Sequence, residues 1–190
     1  MATESEYKAR IQAYDTPQLL GLWENIQQRD TSEWAAGKAL EHLILRAFEL
    51  ENADVRYPYS VPMSTVSINN SKQDMEQIDG VVYTQGVACI VECKDYADPM
   101  NFEPIAKLRS QLMRRPSATI ASIFSMAGFT APALTLLNFI HPQTILAWEK
   151  DEITYCLENK SFCSSLVKKY QKAIELGMYN FSAIDEGYLL

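Results

Sequence analysis

The chain is poor in positive charge. Its 17 Lys and Arg stand against 24 Asp and Glu, a formal net charge of −7 at pH 7. A free-standing nucleic-acid binder normally carries a basic balance, so any contact with phosphates has to come from a local basic patch, a bound cation or a partner protein. Histidine is scarce as well. His42 and His141 lie far apart, and the 4 cysteines include no Cys-x-x-Cys pair. The usual structural zinc sites are thereby excluded. Cys89, Cys93, Cys156 and Cys163 are expected as reduced thiols, mostly in the core. No apolar run approaches the roughly 18 residues that span a bilayer. The opening "MATESEYKAR" has no apolar signal core. A cytoplasmic protein without membrane contact is the expectation. Internal repeats and low-complexity segments are also missing.

What is present suits a globular fold. The 190 residues, 47% of them apolar, suffice for one domain with a real core and a helical appendage. Residues 1–30 carry apolar side chains at helical spacing, with Leu19, Leu20, Trp23 and Ile26 on one side and Thr16-Pro17 as a start signal. A second helical window, 32–50, has a wide apolar stripe through Ala39, Leu40, Leu43, Ile44, Ala47, Phe48 and Leu50, with Thr31 or Ser32 as its cap. Glu41 sits beside that stripe, not opposite it. "DVRYPYSVP" reads as a first strand, with Pro58 marking an edge or an early end. A polar loop, "STVSINNSKQDME", leads to a second strand over 77–83, and a third follows over 87–94. Then come a helix over 102–115, the continuous apolar strand "ATIASIFSM", a "GFT" turn and another helix. "TILAWE" and "EITYCLE" read as two further strands, and 160–176 as an amphipathic helix with Phe162, Leu166, Tyr170, Ala173 and Ile174 inward and Gly177 at its end. The order predicts an α/β fold, a mixed sheet flanked by helices.

The chemistry concentrates in "IDGVVYTQGVACIVECKDY", residues 78–96. Side chains alternate along a strand, so Glu92 and Lys94 share one face of the third strand and Cys93 the other. With a turn centred on Gln85, Asp79 falls opposite about Val91, within one residue of Glu92. Two carboxylates this close repel, which raises one pKa. A divalent cation removes the conflict, and Mg²⁺ typically uses one or two carboxylates plus waters and a phosphate. Lys94 would stand beside such an ion and its water. The competing reading is a turn aspartate plus a surface ion pair worth roughly 0–1 kcal/mol. Three charged groups together in an apolar hairpin, with Glu41 on the preceding helix, favour the functional reading.

These residues resemble the PD-(D/E)xK nuclease superfamily, and within it the Mrr-like restriction endonuclease domain. "GKALEHLILRAFE" is similar to the family's glutamate-bearing first helix, "QIDGVV" to its metal aspartate, "IVECKDY" to its Glu-x-Lys strand, and "IFSMAGFTAPA" to its strand, Gly-Phe-Thr turn and helix. The resemblance covers about 37–148; Ile78 stands where the superfamily's name has Pro, as is usual in Mrr-like members. It implies a restriction-endonuclease-like core of order αβββαβ within 32–157. Residues 1–31 then form a helical extension, and 158–190 a helix and tail on the domain or a partner. It further implies a Mg²⁺- or Mn²⁺-dependent endonuclease acting on DNA in a restriction or defence role. Asp79, Glu92, the Cys93 backbone carbonyl and Glu41 would serve the metal, with Lys94 as catalytic lysine and Gln111 near the active site.

Lys107, Arg109, Arg114 and Arg115 make up the densest basic segment and are candidates for phosphate contact, which fixes position and not sequence. A solvated helix end is the alternative. His42 and the three tryptophans, Trp23, Trp34 and Trp148, read as structural, and Thr130 as a helix cap. Other functional readings stay open: a nuclease-like binding or assembly subunit, a homodimer or a subunit recruited by a partner, and a nuclease for RNA or branched DNA.

Overall fold

A computed structural model describes residues 3–57, 59–62 and 74–184. The sequence readings of Pro58, of loop residues 63–73 and of tail residues 185–190 lie outside the described residues.

Three helices open the chain: α1 (Glu4–Gln12), α2 (Thr16–Gln27) and α3 (Lys38–Leu50). Each of the first two starts on a reciprocal capping box, Thr3 with Glu6 and Asp15 with Gln18. The third starts later than its apolar periodicity suggests. Gly37 adopts φ 80° at its N-cap, and neither Thr31 nor Ser32 caps it. Its apolar stripe is buried from Ala39 to Phe48, but Leu50, in the last turn, is 37% exposed and does not join the core as expected.

Next come β1 (Asp54–Arg56), β2 (Tyr59–Pro62), β3 (Asp74–Ile78), β4 (Gly80–Thr84) and β5 (Val87–Lys94). The expected first strand is thus two short ones, and a strand precedes the expected second. β2 and β3 form a separate two-stranded ribbon. The rest of the chain supplies α4 (Glu103–Leu112), β6 (Thr119–Ser125), α5 (Ala131–Phe139), β7 (Ile145–Glu149), α6 (Lys150–Asn159) and α7 (Phe162–Leu176). The main sheet has the order β1-β4-β5-β6-β7. Its β1–β4–β5 half is antiparallel and its β5–β6–β7 half parallel, with helices as crossovers. The α/β class, the mixed sheet and the order αβββαβ, here α3-β1-β4-β5-α4-β6, are as expected.

One element differs in kind. "EITYCLE" is not a strand but the body of α6. Ile153, Tyr155 and Leu157 alternate like a strand, yet Ile153, Cys156 and Leu157 also make a helical stripe, and those three are the buried ones. Glu149 and Glu152 cap the helix reciprocally, so it begins directly where β7 ends. In α7, Ile174 does not point inward: it is 67% exposed, while Phe162, Leu166 and Ala173 are buried. Gly177 closes α7 with φ 67°, as predicted. Beyond it, Tyr179 O accepts from Ala147 N at 2.9 Å, so the segment after α7 lies along the outer edge of β7.

One core runs through the fold, from Ile11 and Trp23 through Phe48, Ile90, Phe124 and Trp148 to Leu166. All four cysteines are free and buried in it. Gly80 of β4 packs tightly against Leu45 of α3. A Cβ there would lie 2.5 Å from Leu45 Cδ2, and Leu45 is itself buried. Gly80→Ala is therefore expected to cost about 1–3 kcal/mol of stability, the usual penalty for overpacking. Urea denaturation measures it, and no loss would mean that Leu45 moves aside freely.

Candidate active site

The hairpin turn sets the register of the site. Gln85 and Gly86 both take positive φ, 46° and 82°, which makes a tight two-residue connection between β4 and β5. Gly80 consequently pairs with Val91, so Asp79 stands level with Glu92, one residue further along than the sequence estimate. Asp79 occupies the single-residue break between β3, which pairs with β2, and β4, which pairs with β5. With no β4 backbone left beyond Gly80, the Asp79 side chain takes over: its Oδ2 accepts from Cys93 N at 2.7 Å.

Glu92 is only 2% exposed. Its Oε1 accepts from Lys94 Nζ at 2.6 Å and faces Lys107 Nζ at 3.4 Å. Its Oε2 is buried and has no hydrogen-bond partner. Lys94 Nζ also lies 3.3 Å from the Cys93 carbonyl oxygen. The alternation argument therefore holds in detail: Glu92 and Lys94 share a face and touch.

Burial pushes the Asp79 carboxyl up to about 7, and the charges of Glu92 and Glu41 add to the rise, against the Cys93 amide. Burial works against the Lys94 ammonium, but the Glu92 and Asp79 carboxylates outweigh it and hold its pKa above the ordinary lysine value. Lys94 is thus a charged donor at neutral pH.

Glu41 shares a cleft with Asp79, Lys38 and Glu4. It is not free toward Asp79: Lys38 Nζ sits 2.6 Å from its Oε2 and equally 2.6 Å from Glu4 Oε1. Burial raises the Glu41 pKa, with Lys38 opposing. His42 is packed among Tyr7, Trp34 and Tyr57, in keeping with a structural role. Gln111 reaches the same region from α4. It is 2% exposed, its Nε2 donates to Gln77 O at 3.4 Å, and its Oε1 is buried without a partner.

The four basic candidates separate. Lys107 joins the carboxylate site. Arg114 and Arg115 both pair with Glu76 of β3. Arg109 lies two positions from Lys107, about 200° round the helix, and is half-buried with its Nε shielded and without a partner. Thr130 caps α5, accepting from Ala133 N.

Sequence reasoning missed four residues. Lys38, three positions before Glu41 on one helix, was open to an i,i+3 argument. Glu76 fell in a segment read as loop, and Glu4 reaches Lys38 only through the packing of α1 on α3. Arg29 pairs with Asp95, and its Nη2 donates to Tyr96 O at 2.8 Å, pinning the turn directly after Lys94. No local signal marks that contact.

An orphaned, buried carboxylate oxygen on Glu92, beside a second carboxylate with a raised pKa, is a donor set that suits a hard divalent cation. Among the described residues no three His, Cys, Asp or Glu side chains form a metal-holding group. The fit is accordingly to an ion held by Asp79 and Glu92 with backbone help, and Glu41 stays with Lys38.

Neither a family model nor a curated protein matches the sequence. Two solved structures are similar. One is AF1548, a protein of unknown function, at 16% identity and a TM-score of 0.43, covering 57% of this chain and 56% of that one. The other is the DNA modification-dependent restriction endonuclease AspBHI, at 11% identity and a TM-score of 0.41, covering 93% of this chain and 43% of that one. The chain therefore spans about half the length of either.

Proposed function

We propose that this chain is a metal-dependent nuclease that hydrolyses phosphodiester bonds in DNA. The observation that carries the reading is the convergence of Asp79, Glu92 and Lys94 at the break between β3 and β4. A cation of the Mg²⁺ or Mn²⁺ kind, held by Asp79, Glu92 and the Cys93 carbonyl, would supply charge stabilisation and a more acidic water. The protein does the rest. The Cys93 amide fixes one Asp79 oxygen, so the carboxylate is preorganised. Lys94 is held in place by Glu92 and offers a positive charge and a proton to a phosphate oxygen. Lys107 adds a second cation on the same side. Glu41, restrained by Lys38, sets the local field and not the ligand count.

A specific observation favours recruitment by a partner as the second reading. The acidic balance is global, and the two arginines that follow α4 are both already engaged by Glu76.

The test uses purified protein with Mg²⁺ or Mn²⁺ and a panel of linear, circular, single-stranded, branched and modified DNA, plus RNA. Wild-type protein should cleave DNA in a manner abolished by EDTA. Lys94→Ala should cut about 10²–10⁴-fold more slowly, the range for losing a positioned proton donor. Equal cleavage by both proteins would remove Lys94 from the chemistry. No cleavage of any substrate would leave partner-dependent action as the better reading.

A further inference from the structure

A groove runs between β3 and α4, lined by Glu76, Gln77, Lys107, Ser110, Gln111 and Arg114. At one end Lys107 Nζ stands 3.4 Å from Glu92 Oε1, so the groove opens onto the carboxylate site. At the other end two guanidinium groups converge on one carboxylate. Arg114 pairs with Glu76 Oε1, and Arg115 Nη2 lies 2.5 Å from Glu76 Oε2. Both arginines are also braced by α4, Arg114 on Ser110 Oγ at 3.1 Å and Arg115 on Gln111 O at 2.6 Å. Glu76 is nearly buried, whereas the Arg114 side chain remains 44% exposed. A buried polar atom with no partner, Gln111 Oε1, belongs to the same groove wall.

Two guanidiniums that each place one nitrogen against a different oxygen of a single carboxylate have the form of a phosphate site, because arginine recognises carboxylate and phosphate with the same donor groups. We propose that this groove seats the phosphate backbone of the nucleic-acid substrate, and that Glu76 is an internal anion occupying the seat in the free protein. The proposal rests on the nuclease reading and deepens it. It gives the acidic chain a local basic patch, whose positive charge Glu76 partly cancels until a phosphate arrives. Substrate backbone entering past Lys107 competes with Glu76 for Arg114, the more exposed of the pair. The β3 ribbon that carries Glu76 continues into Asp79, so displacement of Glu76 acts next to a residue of the carboxylate site.

The test is binding of a short labelled DNA duplex, read by fluorescence anisotropy in EDTA so that nothing is cut, across a series of salt concentrations. Glu76→Gln keeps the shape and removes the internal charge. It should bind several-fold more tightly than wild type, and its plot of log K against log salt should steepen by about 1, one extra phosphate contact. Arg114→Gln, at an exposed position, should bind more weakly and flatten the slope by about 1. In the double variant the gain from Glu76→Gln should vanish. Unchanged slopes in both single variants, or a gain that survives loss of Arg114, overturns the proposal. Should Glu76→Gln fail to fold by circular dichroism, Arg114→Gln alone decides it. Cleavage is assayed separately with Mg²⁺. Shifted binding without cleavage by any protein counts against cleavage by this chain alone and keeps the groove; cleavage with unshifted binding keeps the nuclease reading and overturns the groove.

Discussion

Lys169→Ala should destabilise the protein by about 3–5 kcal/mol, the cost of leaving one member of a buried ion pair alone. Lys169 has no exposed surface. Its Nζ lies 2.6 Å from Glu152 Oε1, donates to Phe181 O, and stands 4.7 Å over the Trp148 ring. Glu152 Oε1 accepts from Ala183 N at 2.9 Å, and its Oε2 accepts from Glu149 N at 3.2 Å. One pair therefore ties together α6, α7, β7 and the segment after α7. Burial lowers the Lys169 pKa against the pull of Glu152, and burial raises the Glu152 pKa against the pull of Lys169. Both shifts mark a desolvation cost that the partner offsets in part, helped at Glu152 by the Ala183 and Glu149 amides. A domain of this kind has about 5–15 kcal/mol in total, so the loss should be plain in urea denaturation. The double variant Lys169→Met with Glu152→Leu should recover part of it, because an apolar pair needs no solvation. A single-variant loss under about 1 kcal/mol would show that water reaches Glu152.

Asp79→Asn should abolish metal-dependent cleavage while making the metal-free protein more stable at pH 8. The two effects have one origin. Asp79 feels the Glu92 charge at a partly buried position, and the Cys93 amide holds it there. With a folded-state pKa near 7 against an ordinary 3.8, the folded protein binds the proton more tightly than the unfolded chain does. Stability then falls as pH rises between those values and stays low above them. Asparagine keeps an acceptor for Cys93 and carries no charge, so this fall should be missing from the variant. Thermal melts in EDTA from pH 4 to 8 read the difference. The same pH profile in wild type and variant would show that the site is well solvated.

How far these features could be read from the sequence depends on the distance between partners. The Asp79–Glu92 juxtaposition was legible because a hairpin links the two and its turn fixes the register to within one residue. Helix α3 was legible because its stripe is continuous, although Gly37 and not a hydroxyl residue starts it. The segment of α6 was ambiguous in itself, since its apolar residues satisfy both the two-residue and the helical period. Only packing against α2 and α7 selects the helix. The first three residues of the ribbon strand β3, Asp74 to Glu76, are polar or unbranched, so they read as loop, and only Gln77 and Ile78 fell in an expected strand. With them went Glu76, and therefore its pairing with Arg114 and Arg115, which joins residues of two elements that no periodicity connects. Lys38 shows the opposite case, a contact within one helix that the spacing alone announces.

The segment after α7 has a consequence beyond anchoring. An open sheet ends in two unpaired rows of amides and carbonyls, and each row is a template on which another chain can add a strand. Here β1 limits one row to three residues. The other row belongs to β7, a longer and more apolar strand, and there Tyr179 occupies the amide of Ala147. The Lys169–Glu152 pair holds that strap by its Phe181 and Ala183 backbone. The same buried charge pair thus helps to close one backbone position at which another chain could add to β7.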